Sequence, residues 1–263
     1  MTEDLRSLAN RRALVTGAAR GIGAAIAAEL ARRGAAVLLV DIDGPELDAT
    51  TDSLSRGGAR VHAFRGDVTA EAELAEMART AQARLGGLDI LVNNAAILDA
   101  TPLDALTRSR YAEVQEINQN AALWTAKAML PLLAASPHAR IVNIASILGI
   151  RGTTDSLAYA IAKGGVVNMT RALAVDLAPK GVLVNCICPG FVDTRMAILP
   201  DGSGHEHEAD WFRDVYIKYG RIPLRRPAPP EEIARATMFF CGDDCSYVTG
   251  QILLVDGGIS ATF

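Results

Sequence analysis

Short apolar, β-branched runs alternate with longer amphipathic stretches almost from one end of the chain to the other. The runs at 13–16, 35–41, 60–64, 88–92, 140–145, 182–188 and 251–255 read as strands. The Ala-, Leu- and Glu-rich segments between them, such as 23–33, 70–85 and 157–177, place apolar residues at helical spacing. Strands that are apolar throughout have no solvent face, so the pattern predicts a parallel sheet covered by helices on both sides. With right-handed crossovers this is an α/β, doubly wound, Rossmann-like fold. No linker, repeat or low-complexity tract interrupts it, and a single domain is expected over 1–263. One stretch breaks the rhythm: 195–226 is polar, aromatic and proline-bounded.

Composition narrows the class. Half of the 263 residues are apolar, enough for one sizeable core. The formal net charge is −4 and no basic block occurs, which argues against nucleic acid as a partner. The first ten residues mix Glu3, Asp4 and Arg6 with short apolar stretches, unlike a secretory signal. No uncharged apolar run approaches the roughly 18 residues that span a bilayer. Cys186, Cys188, Cys241 and Cys245 have no zinc-like spacing and read as packing residues. Cys186 and Cys188, two apart in a strand, should face the same side. A cytoplasmic protein with reduced thiols is expected, without membrane partners.

At 16–23 the segment TGAARGIG follows the first strand and opens a helix. Gly17 permits a tight turn, Gly21 lets the backbone approach a pyrophosphate, and Gly23 lets helix and strand pack closely. The second strand ends at Asp41, which can accept hydrogen bonds from an adenosine ribose and repel a 2′-phosphate. That favours NAD. Arg20, whose guanidinium can hold a 2′-phosphate, keeps NADP as the less favoured choice.

Tyr159 and Lys163 are four apart at the start of a helical stretch, so phenol and ammonium share a face. A nearby cation lowers a phenol pKa and suits Tyr159 to general acid–base work. Ser146 follows the run before that helix, at the carboxyl end of a strand, where ligands of open α/β sheets sit.

Together these residues closely resemble the short-chain dehydrogenase/reductase family over about Asn10 to Ile259. The family's TGxxxGxG motif is met at 16–23, including Ile22, and its adenine-contacting Asp-Val pair by Asp67 and Val68. Its NNAG segment appears as Asn93, Asn94, Ala95 and Ala96, with alanine for the last glycine. Its active-site asparagine is met by Asn118, its serine by Ser146 and its YxxxK by Tyr159 and Lys163. Its PGxVxT segment, which lines the nicotinamide, supplies Pro189, Gly190, Val192 and Thr194. The resemblance implies that Tyr159 exchanges a proton with the substrate oxygen while Ser146 polarises the carbonyl. Lys163 holds the nicotinamide ribose, and Asn118 positions a water linking Lys163 to solvent. It also implies a homotetramer or homodimer through the helices around 111–133 and 157–177.

The expected function is hydride transfer between NAD(H) and a secondary alcohol or ketone, with a small polar alcohol, sugar or polyol favoured as the small-molecule substrate. The alternatives are an NADPH-dependent 3-oxoacyl or other ketone reductase and, from another class, a non-catalytic nucleotide-binding sensor. No metal site is expected: His205 and His207 lie in a Gly- and Asp-rich stretch without HExxH spacing and read as a solvated loop. The segment 208–219 reads as a short helix with Phe212 and Tyr216 on one face. It either packs on the body or belongs to a substrate lid at 195–226.

Overall fold

The computed structural model describes residues 7–199, 202 and 204–261. Its centre is a seven-stranded sheet in the order β3-β2-β1-β4-β5-β6-β7, with every neighbouring pair parallel. The strands are β1 (Arg12–Thr16), β2 (Ala36–Asp41), β3 (Val61–Arg65), β4 (Ile90–Asn93), β5 (Arg140–Ile144), β6 (Leu183–Pro189) and β7 (Ile252–Val255). All seven expected strands are present, with ends shifted by one or two residues. The helices are α1 (Gly21–Arg32), α2 (Gly44–Arg56), α3 (Glu71–Leu85), α4 (Arg108–Gln115), α5 (Ala121–Ala134), α6 (Leu157–Leu177), α7 (Asp210–Phe212) and α8 (Pro230–Cys241).

Adjacent strand residues point to opposite cores, as a sheet covered on both faces requires. Val15, Leu39 and Val92 pack with Ile26 and Leu30 of α1, Leu47 of α2 and Met238 of α8. Leu14, Leu38 and Leu91 pack instead with Met77 of α3, Met129 and Leu133 of α5 and Leu177 of α6. Cys186 and Cys188 do share one side, packed with Val166 and Val167, and all four cysteines are free. Among the described residues, no helix is long and apolar enough to cross a membrane.

Two expected helices are built differently. The stretch around 111–133 is not one continuous α-helix: a π-helical turn, Glu116–Asn120, separates α4 from α5 and carries Asn118. The segment expected as a helix at 208–219 comprises the single turn α7 followed by a π-helical stretch, Arg213–Lys218. A π-turn inserts a residue into the helical ladder, so hydrophobic periodicity alone does not reveal it.

Candidate active site

The strand order reverses between β1 and β4, which opens a crevice at their carboxyl ends. Thr16 ends β1 there, and its hydroxyl accepts from the backbone N–H groups of Asn94 (3.0 Å) and Ala95 (3.1 Å) just beyond β4. The Asn94 amide donates to the carbonyls of Thr16 and Gly17, each at 3.0 Å, fixing the glycine loop. A Cβ on Gly23 would collide with the Gly17 carbonyl oxygen and the Asn94 amide, so this close approach requires glycine. Gly21 has φ +56°, and a Cβ there would lie 3.3 Å from Cγ2 of Thr194. The loop and the segment after β6 thus form the two walls of one groove. Arg20, the N-cap of α1, provides no side-chain cap among the described residues, and Ile22 in the first turn packs on the core. Tight glycine walls and a helix N-terminus with backbone donors fit a dinucleotide pyrophosphate.

The acidic end of β2 lies beside this groove. Asp41 accepts from the N–H of Ala19 at 2.9 Å and from that of Asp43 at 3.0 Å. Asp43 caps α2 through Glu46 and pairs with Arg20 at 2.6 Å. Further along, Asp67 accepts from the Thr69 N–H (2.8 Å) and hydroxyl (2.7 Å), and the neighbouring Val68 is buried against the α3 layer.

On the other side of the crevice, Ser146 lies two residues beyond β5 and caps a 3₁₀ turn, accepting from the Leu148 N–H at 3.1 Å. Its hydroxyl is close enough to the Tyr159 phenol to draw the phenol pKa down. Tyr159 and Lys163 are both buried on α6. Burial pushes the Tyr159 hydroxyl up to about 12, against the downward pull of Ser146. The lowering expected from Lys163 is not among the influences on Tyr159 in the protein alone. The ammonium donates to the Ile144 carbonyl at 3.0 Å and sits 5.7 Å from the phenol ring centroid. Burial also brings Lys163 down to about 8.

Asn118 is buried, and its amide pairs with Ile97: its oxygen accepts from the Ile97 N–H and its nitrogen donates to the Ile97 carbonyl, both at 2.8 Å. Its side chain therefore holds the chain after β4. A cavity of about 10 Å³, room for one water, is lined by Asn118, Lys163 and Asn93 among others. The Asn93 side-chain oxygen has no hydrogen-bond partner among the described residues.

The segment after β6 is anchored at both ends. Gly190 packs on Asp256 and donates to the Val255 carbonyl, while Val192 is buried and bridges Ala228. Beyond it, Phe212 is buried and meets Phe191 edge-on and Tyr216 at a tilt, at centroid distances of 5.0 and 4.9 Å. The expectation of a solvated histidine loop is corrected here. The His207 side chain is only 7% exposed, because its ring packs on Phe191 and Phe212. Glycine-rich composition suggested solvent, and the aromatic partners on both sides of the loop were not legible as neighbours.

The crevice thus gathers the glycine loop, Asp41, Ser146, Tyr159, Lys163, Asn118 and Thr194. Sequence reasoning missed the buried brace beneath them. Asn93 donates to Asn143 (2.9 Å), which donates to Thr170 (2.9 Å), tying β4, β5 and α6 together. Polar residues inside apolar strands were its signal.

Comparison with known proteins covers nearly the whole chain. The family model for enoyl-(acyl carrier protein) reductase matches residues 17–260. Cis-4-hydroxycyclohexanecarboxylate dehydrogenase of Sinomonas cyclohexanicum is 40% identical over 97% of this chain and 98% of its own. A 3-oxoacyl-(acyl-carrier-protein) reductase of Chlamydia trachomatis is 34% identical over 96% and 98%. Among solved structures, a dehydrogenase/reductase from Sinorhizobium meliloti 1021 superposes with a TM-score of 0.88 at 32% identity, covering 97% of each chain.

Proposed function

Because the chain belongs to the short-chain dehydrogenase/reductase family of oxidoreductases, we propose that it moves a hydride between NAD(H) and a small polar secondary alcohol or its ketone. The observation that carries this reading is the neighbouring Ser146 and Tyr159, with Lys163 one turn further along α6, at the carboxyl edge of the sheet. When bound, the nicotinamide supplies or accepts the hydride. Ser146 donates to the substrate oxygen, and Tyr159 gives it a proton during reduction or takes one during oxidation. Lys163 holds the ribose hydroxyls and stabilises negative charge on the phenol oxygen. Its proton is replenished through a water in the cavity beside Asn118 and Asn93.

Gly17, Gly21, Ile22 and Gly23 would hold the pyrophosphate, and Asp67, Val68, Asn94 and Ala95 the adenosine and ribose side. Pro189, Gly190, Val192 and Thr194 would line the nicotinamide. The NAD preference rests on Asp41 and on the Arg20–Asp43 pair, which occupies the guanidinium that a 2′-phosphate needs. An NADPH-linked 3-oxoacyl reductase is the second reading, favoured by the Chlamydia relative's name. The Sinomonas relative's name supports a cyclic hydroxycarboxylate among the polar alcohols.

Residues 195–226 act as a substrate lid in this account. Exposed Trp124 on α5 and Leu157, Ile161 and Val175 on α6 support homodimer or homotetramer contacts. The free, buried cysteines accord with a cytoplasmic enzyme. A panel of polyols, sugars and hydroxycarboxylates, followed by NADH fluorescence and repeated with NADP, tests the reading. Turnover with NAD supports it; strict dependence on NADP would hand the case to the ketone reductase.

A further inference from the structure

Among the described residues, one group of three side chains offers metal-ligand atoms that all lie within 4.8 Å of one another: Asp193, His205 and His207. Two separate segments bring them together. Asp193 follows β6 and is fixed by its N–H donating to the Ala228 carbonyl at 2.9 Å. His205 returns to it through an antiparallel bridge with Ile198.

The histidines are not equivalent. His205 already faces a carboxylate: its Nε2 lies 3.2 Å from Asp193 Oδ1 and 3.0 Å from the Thr194 carbonyl, and its Nδ1 is 3.4 Å from the His207 N–H. His207 is the unexplained group. Its side chain is 7% exposed, and both ring nitrogens are shielded from solvent without a hydrogen-bond partner among the described residues. The nearest carboxylate oxygen, on Glu206, is 3.5 Å from Nε2. Buried polar atoms normally have partners, and an imidazole has two nitrogens to satisfy. The His207 ring is held 4.5 Å, centroid to centroid, from that of His205.

We propose that Asp193, His205 and His207 bind one divalent transition-metal ion, of which zinc fits best. Two imidazoles and a carboxylate are a three-ligand set for a borderline ion, with water completing a tetrahedron. Bonds of about 2.0 Å require ligand atoms about 3.3 Å apart, so the group must draw together on binding. The Asp193 side chain, 68% exposed, is free to make that move. The ion gives His207 the polar partner it lacks. It also ties the 205–207 segment to Asp193, the chain neighbour of Thr194, whose side chain faces Gly21 across the cofactor groove. None of the three ligands belongs to the Ser146–Tyr159–Lys163 cluster, so the inference stands independently of the hydride-transfer reading.

The test is a titration of the tag-free full chain, stripped with chelator, with Co²⁺ as a spectroscopic probe. The expected result is one Co²⁺ per chain, displaced by Zn²⁺, with a metal-dependent rise in Tm. Asp193→Asn and His205→Gln should each weaken binding at least about tenfold, since even outer-shell partners act on that scale. Asp193→Asn alters an exposed side chain and leaves the aromatic packing intact, so its loss of affinity is not a folding defect. Absence of saturable Co²⁺ binding, or binding unchanged in both variants, would overturn the site.

Discussion

The Lys163 ammonium donates to the Ile144 carbonyl at 3.0 Å and lies 5.7 Å from the Tyr159 ring centroid, so one buried cation holds the end of β5 beside the phenol. Burial then dominates both groups, holding the phenol protonated and weakening the ammonium. The protein alone keeps a neutral proton donor beside a cation that is easily discharged.

This arrangement has a signature in stability. Lys163 titrates at about 8 in the folded protein, below its ordinary 10.5. Below pH 8 both folded and unfolded chains carry the charge, and its burial costs about 3 kcal/mol, at roughly 1.4 kcal/mol per pKa unit. Between those values the unfolded chain binds more protons, so stability rises with pH. Tyr159, whose folded value is raised to about 12, lowers stability only above its ordinary 10.0. Urea unfolding of the wild type and Lys163→Met should therefore show an advantage for Met that is largest at pH 7 and shrinks by pH 9.5. A gap that does not change with pH would contradict the burial account.

Cofactor choice should turn on two aspartates. Asp41→Ser should weaken NAD binding by removing the ribose acceptor. Arg20 remains tied to Asp43 in that variant, so NADP should gain fully only when Asp43→Asn is added. In the double variant the ratio of kcat/KM for NADP over NAD should rise at least about tenfold, the worth of one charge-assisted hydrogen bond. A wild type that already prefers NADP would reverse the assignment.

The fold was legible because the central strands are largely apolar on both faces, the pattern of a parallel sheet covered on both sides. The cofactor loop and Tyr159–Lys163 were legible because their spacing alone carries the geometry. Three features were not. The π-turn at Asn118 leaves hydrophobic periodicity almost unchanged while adding a residue to the ladder. The burial of His207 depends on Phe191, sixteen positions earlier, reaching it across a turn. The raised pKa of Tyr159 depends on its burial, which a four-residue spacing does not set.

The lid should report itself in amide exchange. Phe212 and Tyr216 hold its centre through Phe191, whereas Trp211 and Tyr219 are exposed. In the cofactor-free protein, amides of 195–226 should exchange faster than those of β1 and β4, and slow when cofactor and substrate are both present. Equal protection in the free and ternary states would identify a fixed structural insertion.

The central claim is that Tyr159 moves the proton in an NAD-linked oxidation. The direct measurement is kcat for Tyr159→Phe beside wild type, on whichever alcohol the panel identifies, with NADH binding followed in parallel by fluorescence. The account predicts that NADH affinity is retained while kcat falls at least about 100-fold, the scale of general acid–base catalysis. A Phe variant that binds NADH and turns over at the wild-type rate at neutral pH would contradict it.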